Sequence, residues 1–190
     1  MILPTDAQIA AIVPRVETPR LLLRGYRASD LDAFAANFAD PIATAHMGGV
    51  VDRRMAWRML TSSVGLWLLT GGGWWAVEDR ATETFVGTVG AFFRETAPDD
   101  VELGWTVVRA HWGQGIATEA AHAAAAYAFQ HLGASRVYAH IDPGNTASLR
   151  VAANIGMSYE GDADFYGAPT GRYVLEPANL TLPTRHFGLA

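Results

Sequence analysis

The spacing of apolar residues switches along the chain between a period of two and a period near four, which predicts a mixed α/β domain. Alternating segments bounded by turn residues predict strands at 18–24, 74–78, 84–93, 101–108, 136–141 and 172–175. Helical spacing predicts helices at about 29–39, 52–70, 116–132 and 146–155. The resulting order is β-α-α-β-β-β-α-β-α-β, with no internal repeat and no second domain.

Capping and turn residues set several of these boundaries. Ser29 is predicted to cap the N-terminus of the first helix, and Gly133 to follow the C-terminus of the third. Gly156 is predicted to end the fourth helix. Residues 97–100 are expected to form a turn that leads into the strand beginning at Val101.

Composition narrows the class of protein. A chain of 190 residues and 20.4 kDa, half of it hydrophobic, suits one globular domain. The longest apolar run is too short to span a bilayer, and the N-terminus lacks the basic segment of a secretory signal. The net charge is −5 without a basic stripe, which argues against nucleic-acid binding. We therefore expect a cytoplasmic protein that binds neither membrane nor nucleic acid.

Metal and thiol chemistry are not expected. The chain has no cysteine, which excludes disulfides, thiolate metal ligands and a cysteine nucleophile. Its six histidines show no metal-ligand spacing, and none is paired with an activated serine in a recognisable motif. We interpret the histidines as structural or solvent-facing residues and expect no metal.

The segment with the clearest chemical signature is Trp112–Glu119, which joins the strand 101–108 to the alanine-rich third helix. A glycine-bearing turn at a helix N-terminus presents several backbone N–H groups in one direction, and the helix dipole adds positive charge there. Gly113 and Gly115 allow a ligand to come close to the backbone. The pattern predicts a diphosphate site, although two glycines alone are equally consistent with a turn that binds nothing.

Four segments, in this order and spacing, resemble the GNAT superfamily of acyl-CoA-dependent N-acyltransferases, and within it the branch of ribosomal-protein N-terminal acetyltransferases. The segments are Thr18–Arg24, Glu102–Trp105, Trp112–Ala120 and Asn145–Met157. The resemblance spans residues 16–176 and leaves 1–15 and 177–190 as terminal extensions. It implies an α/β fold with a mostly antiparallel central sheet, flanked by helices, that splays at the strand holding the cofactor.

The chain departs from the superfamily pattern at two positions. Trp112 stands where the phosphate loop often begins with glutamine or arginine, as is common in this branch. Asn154 stands where the branch often has lysine, so the resemblance carries no side-chain contact with the cofactor there. Neither change affects the backbone donors of the loop.

The resemblance implies acetyl-CoA as co-substrate, with its pantetheine arm bonded to the backbone of Trp105, Thr106, Val107 and Val108. A backbone N–H near Thr106 or Val107 would then meet the thioester oxygen. The diphosphate would lie on the turn and the first helical residues, which are Trp112, Gly113, Gln114, Gly115, Ile116, Ala117 and Thr118. The competing interpretation is that the backbone N–H and C=O groups of residues 105–108 simply pair with the next strand.

Glu102 is the candidate general base, acting directly or through a water, because an acceptor amine is largely protonated near neutral pH. Strand alternation places Glu102 on one face with Gly104 and Thr106. A carboxylate on a central strand is costly to bury without a partner. The competing interpretation is a structural carboxylate bonded to an arginine or to a backbone N–H.

Asn145 and Ser148 lie three residues apart at the start of the fourth helix. By resemblance, Asn145 binds the pantetheine, and Ser148 hydrogen-bonds the thiol or donates a proton to the departing thiolate. Alternatively, Asn145 only caps the helix and Ser148 is an ordinary residue of its first turn. The rival proton donors are Tyr127, Tyr138, Tyr159 and Tyr166.

The expected activity is transfer of an acetyl group from acetyl-CoA to a primary amine by direct attack in a ternary complex. The acceptor is a protein N-terminus or a small-molecule amine, and the protein is a monomer or a homodimer. A catalytically silent acyl-CoA-binding or regulatory module on the same fold is the alternative. A cluster of methionines and tryptophans between 47 and 75 is expected to belong mostly to the core, with a part shaping the acceptor site.

Overall fold

A computed structural model describes residues 4–95, 97–181 and 188–189. The strands are β1 Val16–Glu17, β2 Leu21–Arg24, β3 Gly73–Asp79, β4 Thr84–Arg94, β5 Ala97–Val107, β6 Val137–Ile141, β7 Ser158–Phe165, β8 Ala168–Leu175 and β9 Gly188–Leu189. Within the described residues these nine form one sheet, in the order β7-β8-β6-β5-β4-β3-β2-β1-β9. Every neighbouring pair is antiparallel except the parallel pair β5 and β6, so the predicted mixed, mostly antiparallel sheet is confirmed.

The helices of the described residues are α1 Asp6–Ala10, α2 Leu31–Ala39, α3 Arg53–Thr70, α4 Ile116–His131 and α5 Thr146–Ile155. The helix α3 begins where the carboxylate of Asp52 accepts a hydrogen bond from the N–H of Met55 (2.7 Å). Past the ends of α4 and α5, Gly133 (φ +68°) and Gly156 (φ +96°) adopt the left-handed conformation. Both predicted helix ends are therefore confirmed.

Three boundary predictions are wrong. Residues 18–20 of the predicted first strand form the tight turn between β1 and β2. Ser29 does not cap α2, because residues 28–30 form a 3₁₀ turn and Asp30, the residue before the helix, accepts a hydrogen bond from the N–H of Arg27 (2.7 Å). Residues 97–100 are not a turn, since they form the beginning of β5. Backbone pairing within the β4–β5 hairpin overrides the turn propensity of these residues.

The apolar pattern also missed β7 and α1. The strand β7 is the edge strand of the sheet, and most of its side chains are exposed, so it has no apolar alternation to detect. The helix α1 has five residues, and none of them is buried. The last strand of the prediction is thus one half of the β7–β8 hairpin.

Helices cover both faces of the sheet. The helices α4 and α5 pack over a core that includes Trp75 and Val77 of β3 and Leu103 of β5. The helices α2 and α3 pack over a second cluster that includes Ala76 of β3. Because neighbouring strand residues point to opposite faces, the two clusters lie on opposite sides of the sheet.

The sheet splays between β5 and β6, as the resemblance implied. These two strands pair at only two positions, which are Val101 with Val137 and Glu102 with Tyr138. Beyond these pairs, β5 continues beside β4, and β6 continues beside β8. We call the gap between residues 103–107 of β5 and 139–141 of β6 the opening.

Part of the chain outside 16–176 packs on the same domain. Val13 is buried in the core under α4, and the carbonyl of Pro14 accepts a hydrogen bond from the indole N–H of Trp75 (2.7 Å). Residues 182–187 of the predicted C-terminal extension lie outside the described residues. In the part of the chain that the structure describes, no helix is long and apolar enough to cross a membrane.

Candidate active site

The backbone of β5 offers hydrogen-bonding groups to the opening at alternate residues. The N–H of Val108 donates to the carbonyl of Val86 on β4 (2.9 Å), which fixes the alternation of the strand. The backbone groups of Thr106 therefore also face β4, whereas those of Trp105 and Val107 face the opening. Of the four strand residues predicted to hold the pantetheine arm, only Trp105 and Val107 have backbone groups free for that purpose.

The turn before α4 has the backbone conformation of an anion site. Gly113 (φ +74°) and Gly115 (φ +77°) adopt the left-handed region that disfavours other residues. The first helical bond of α4 runs from the N–H of Glu119 to the carbonyl of Gly115. Among the described residues, no acceptor is bonded to the N–H groups of residues 113–118. These groups, with the helix dipole behind them, suit the diphosphate of CoA.

The turn is fixed from both sides by side chains. The indole N–H of Trp112 donates to the carbonyl of Val107 (2.7 Å), which ties the turn to the end of β5. The guanidinium of Arg20 donates to the carbonyl of Gln114 (2.8 Å). Because Trp112 occupies the carbonyl of Val107, the N–H of Val107 is the backbone group of that residue left for a ligand.

Glu119, in the first turn of α4, connects the turn to the start of β2. Its carboxylate accepts hydrogen bonds from the hydroxyl of Thr18 (2.6 Å), from the backbone N–H of Arg20 (3.0 Å) and from the Nε of Arg20 (2.6 Å). Two of the four family-like segments thus meet here. This contact was not predicted, because its partners are about a hundred residues apart in the chain, and 18–24 had only the pattern of a strand.

Asn145 caps α5, as the simpler interpretation held. Its side-chain oxygen accepts a hydrogen bond from the N–H of Ser148 (3.0 Å). The amide NH₂ of Asn145 and the hydroxyl of Ser148 have no hydrogen-bond partner among the described residues, and both side chains are half-buried. The cap therefore leaves one donor on each residue, at the end of the opening where β6 runs into α5.

Asn154 and Trp105 place further polar atoms on the α4 side of the sheet. The amide of Asn154 reaches the hydroxyl of Thr118 in the first turn of α4 (3.5 Å). The indole nitrogen of Trp105 is buried and has no hydrogen-bond partner in the described part of the chain. An unpaired buried donor on the strand that lines the opening fits a strand expected to meet an amide-containing ligand.

Glu102 points away from α4 and is paired with an arginine. Both carboxylate oxygens accept hydrogen bonds from Arg94, one from Nε and one from Nη2, the latter at 3.0 Å. The ring nitrogen Nδ1 of His140 lies 3.6 Å from the same carboxylate. The Glu102 side chain is only 5% exposed, so its charge is balanced inside the protein. The structural interpretation of Glu102 thus describes its contacts, and its role as a base stays a prediction.

An aromatic wall surrounds this carboxylate. The guanidinium of Arg94 lies over the rings of Phe92 (5.1 Å), Phe165 (4.6 Å) and Tyr166 (5.7 Å). Tyr166 occupies the tip of the β7–β8 hairpin with φ +52°, a strained conformation for a tyrosine. The packing of these rings around Arg94 was not predictable from the sequence, because the strand that carries Phe165 was not predicted.

The rival tyrosines differ in their relation to the site. Tyr127 packs against Trp67 and Trp75 in the core under α4, so it does not reach the opening. Tyr159 donates to Asp162 (2.5 Å) on β7. Burial, with Glu102 nearby, raises the pKa of the Tyr138 phenol to about 12, which makes it a weaker acid. Tyr166 is exposed at the hairpin tip.

The connection between α2 and α3 is tied to both sides of the opening. At its start, Asp40 pairs with Arg109, which follows β5 (2.6 Å). Within it, His46 hydrogen-bonds Asp142, which follows β6 (2.7 Å). This hydrogen bond lowers the pKa of the Asp142 carboxyl. The connection therefore overhangs the opening, where the resemblance places the acceptor.

The predicted cluster of methionines and tryptophans is divided between core and surface. Trp67 and Trp75 are buried, as expected. Met47, Met55 and Trp57 are exposed, so they form the part of the cluster that lies outside the core. Helical spacing alone could not distinguish the two sides of α3, because apolar residues occur on both.

Comparison with known proteins places this geometry in a family. Residues 20–158 match the model of the acetyltransferase (GNAT) domain. The uncharacterized protein YkkB of Bacillus subtilis is 32% identical over 161 residues, which are 84% of this chain and 94% of YkkB. An acetyltransferase from Agrobacterium tumefaciens, solved by crystallography, is 27% identical with a TM-score of 0.78 and covers 86% of this chain and 94% of its own.

Structural neighbours also include ribosomal-protein serine and alanine acetyltransferases. RimJ of Mycobacterium smegmatis, solved in complex with CoA disulfide, has a TM-score of 0.68 at 22% identity and covers 90% of this chain and 89% of its own. At that identity the likeness concerns the fold. The family match spans most of the chain, and the chain belongs to the GNAT acetyltransferase family.

Proposed function

We propose that the protein transfers the acetyl group of acetyl-CoA to a primary amine by direct attack in a ternary complex. The observation that carries the proposal is the opening in the sheet, which leaves backbone N–H groups unengaged on the same strand that carries a buried carboxylate. Membership of the GNAT family supports acetyl transfer, and the CoA complex of RimJ supports the co-substrate.

The residues present fit acetyl-CoA along the whole opening. The N–H groups of residues 113–118 would hold the diphosphate, and the backbone groups of Trp105 and Val107 would pair with the amides of the pantetheine arm. The free amide NH₂ of Asn145 would add a hydrogen bond. The thioester would then end beside Ser148, at the start of α5.

Three groups would carry the chemistry. Glu102, paired with Arg94, would drive removal of the proton from the acceptor ammonium, directly or through a group or water that it holds. The N–H of Trp105 would polarise the thioester carbonyl, which leaves the carbonyl of Trp105 and the N–H of Val107 for the amides of the pantetheine arm. The hydroxyl of Ser148 would stabilise the departing thiolate by a hydrogen bond.

The acceptor would enter under the α2–α3 connection, on the face that carries Glu102. A protein N-terminus and a small-molecule amine are both compatible with this entry. Ribosomal-protein acetyltransferases among the structural neighbours favour a protein N-terminus as the first class to assay. The predicted cytoplasmic location and the predicted monomer or homodimer are consistent with either class.

The proposal is tested by an acceptor screen that measures release of free CoA from acetyl-CoA. Wild-type protein should acetylate at least one amine. Glu102→Gln should bind CoA normally by calorimetry but turn over roughly 10²–10⁴-fold more slowly, as for a lost general base. Asp32→Asn, which removes an exposed carboxylate paired with Arg53, is the matched control and should behave as wild type. CoA binding without turnover on any amine would identify the silent acyl-CoA-binding module instead.

A further inference from the structure

His140 is a titratable group beside Glu102 that the proposed chemistry has not used. It lies on β6, two residues beyond the last position at which β5 and β6 pair. Strand alternation places it on the same face as Tyr138, its ring 5.3 Å from the tyrosine ring. The His140 side chain is 14% exposed, so it keeps contact with the opening while being mostly enclosed.

The contacts of Glu102 make it a poor direct base. Arg94 donates to both of its oxygens, so a lone pair on each oxygen already accepts a hydrogen bond and is not available to take a proton. Taking a proton onto the carboxylate would also leave the half-buried charge of Arg94 without its counter-ion. The carboxylate is therefore better suited to hold a neighbouring group than to take the proton itself.

His140 is placed to be that neighbouring group. Its Nδ1 lies 3.6 Å from Oε1 of Glu102 and has no hydrogen-bond partner among the described residues. A carboxylate at this distance favours the tautomer with its proton on Nδ1. In that tautomer the lone pair is on Nε2, at the opposite edge of the ring. Phe165 packs against the ring (5.0 Å between centroids) and restricts its rotation.

We infer that His140, oriented by Glu102, is the general base of the transfer; this inference rests on the proposed function. The acceptor ammonium gives one proton to Nε2 of His140, and the neutral amine attacks the carbonyl carbon of the thioester. The C–N bond forms, the C–S bond breaks, and the second proton of the nitrogen passes to the thiolate sulfur, hydrogen-bonded by Ser148. The proton on His140 then returns to solvent.

The charges around the ring are compatible with this role. The titratable and charged groups around it are Tyr138 on β6 itself and, on the neighbouring strands, Glu102, Arg94, Arg172, Asp100 and Glu160, the last of which pairs with Arg172 (3.1 Å). Arg94 is paired with Glu102, and Arg172 is paired with Asp100 (3.1 Å). The raised pKa of Tyr138 keeps it a neutral phenol over the physiological range. Each guanidinium is thus offset by a carboxylate.

Two measurements test the inference. In wild-type protein with CoA bound, nitrogen-15 NMR of the histidine rings should show His140 as the Nδ1–H tautomer, and Glu102→Gln should abolish that preference. An Nε2–H tautomer in wild type would overturn the inference without reference to any acceptor. This measurement also stands if substitution of His140 prevents folding.

The kinetic test uses kcat/KM against pH with an acceptor from the screen. His140→Gln should lower kcat/KM roughly 10²–10⁴-fold, retain CoA affinity and lose the acidic limb of the wild-type profile. His140→Ala should regain turnover with added imidazole, which a structural role would not allow. His131→Gln, on the exposed side of α4, is the matched control and should keep the wild-type profile. Wild-type turnover with an unchanged acidic limb in His140→Gln would overturn this inference alone, whereas no wild-type turnover on any amine would overturn the proposed function with it.

Discussion

The two sides of the opening are built in different ways. On the side of α4, the groups proposed to bind the ligand are backbone N–H groups of one continuous segment, 113–118, and their direction is fixed by two glycines and a helix start. On the other face, Glu102 is surrounded by side chains from β4, β6 and β7, namely Arg94, His140 and Phe165. The groups on the α4 side are thus set by the local sequence, whereas the side chains around Glu102 come together only in the tertiary structure.

This difference decides which substitutions each side tolerates. Backbone donors do not depend on side-chain identity, so the turn accepts Trp112 where the superfamily often has another residue. The assembly around Glu102 depends on the balance of charges in a mostly enclosed place, where removing one partner exposes the other to the full cost of burial. Stability should therefore be more sensitive on the Glu102 side, and CoA affinity on the side of the turn.

The largest effect on stability is expected from Arg94→Gln. It leaves the Glu102 carboxylate buried without its counter-ion, which costs about 3–5 kcal/mol in comparable cases. Urea unfolding at neutral pH measures the loss, and Arg53→Gln, which breaks an exposed pair, is the control with an expected loss of about 0–1 kcal/mol. Adding Glu102→Gln to Arg94→Gln should restore part of the stability. If Arg94→Gln and Arg53→Gln lose the same amount of stability, the pair at Glu102 contributes no more than an exposed pair, and the Glu102 side is not the more sensitive one.

The same distinction explains how much the sequence could predict. The turn, the ends of α4 and α5 and the cap at Asn145 follow from glycines and capping residues within a few positions, and the structure confirms them. The partners of Glu102 were not predictable, since Arg94 and His140 reach it only through strand pairing. Only a strand was predicted at 136–141, and its histidine was interpreted as structural or solvent-facing, because nothing local indicates that the face with His140 meets Glu102. Likewise, the hydrogen bond between Thr18 and Glu119 was not predictable, because the two residues are far apart in the chain.

The next largest effect concerns the turn. Gly115→Ala introduces a side chain at φ +77°, with its Cβ 3.4 Å from Nη2 of Arg20. Gly133→Ala is the matched control, because Gly133 has φ +68° and open space around it. Both variants should lose about 1–2 kcal/mol of stability from the left-handed conformation. Only Gly115→Ala should also lose CoA affinity, about ten- to a hundredfold by calorimetry if one charge-assisted hydrogen bond is lost.

An equal CoA affinity in the two glycine variants would mean that the turn has a conformational role only. That outcome would support the simpler interpretation of the glycines, a turn that binds nothing. Gly113→Ala extends the comparison, because its Cβ would project into open space at φ +74°, on the side where the diphosphate is expected.

A smaller effect should separate the two functions of Asn145. Asn145→Asp keeps an oxygen that can cap α5 but removes the amide NH₂, so it should retain thermal stability and lose CoA affinity. Asn145→Ala should lose about 1 kcal/mol of stability as well. Ser148→Ala should slow transfer without changing CoA affinity, because its proposed partner is the sulfur alone. If Asn145→Asp binds CoA as wild type does, Asn145 is only a cap, and the pantetheine contact must lie elsewhere.

The smallest effect is expected at the α2–α3 connection, where the pair His46 and Asp142 is exposed and screened by solvent. The hydrogen bond from His46 lowers the pKa of Asp142 from its ordinary 3.8, so the pair stabilises the folded state above that pH and loses its contribution as the pH falls through the lowered value. Asp142→Asn should therefore melt slightly below wild type near neutral pH, and the difference should vanish in acid. His46→Gln should give the same small loss, and the double variant should lose no more than either single one, because the two residues act as a pair. A loss of stability in Asp142→Asn that His46→Gln does not share would show that Asp142 acts through its bond to the N–H of Gly144 instead.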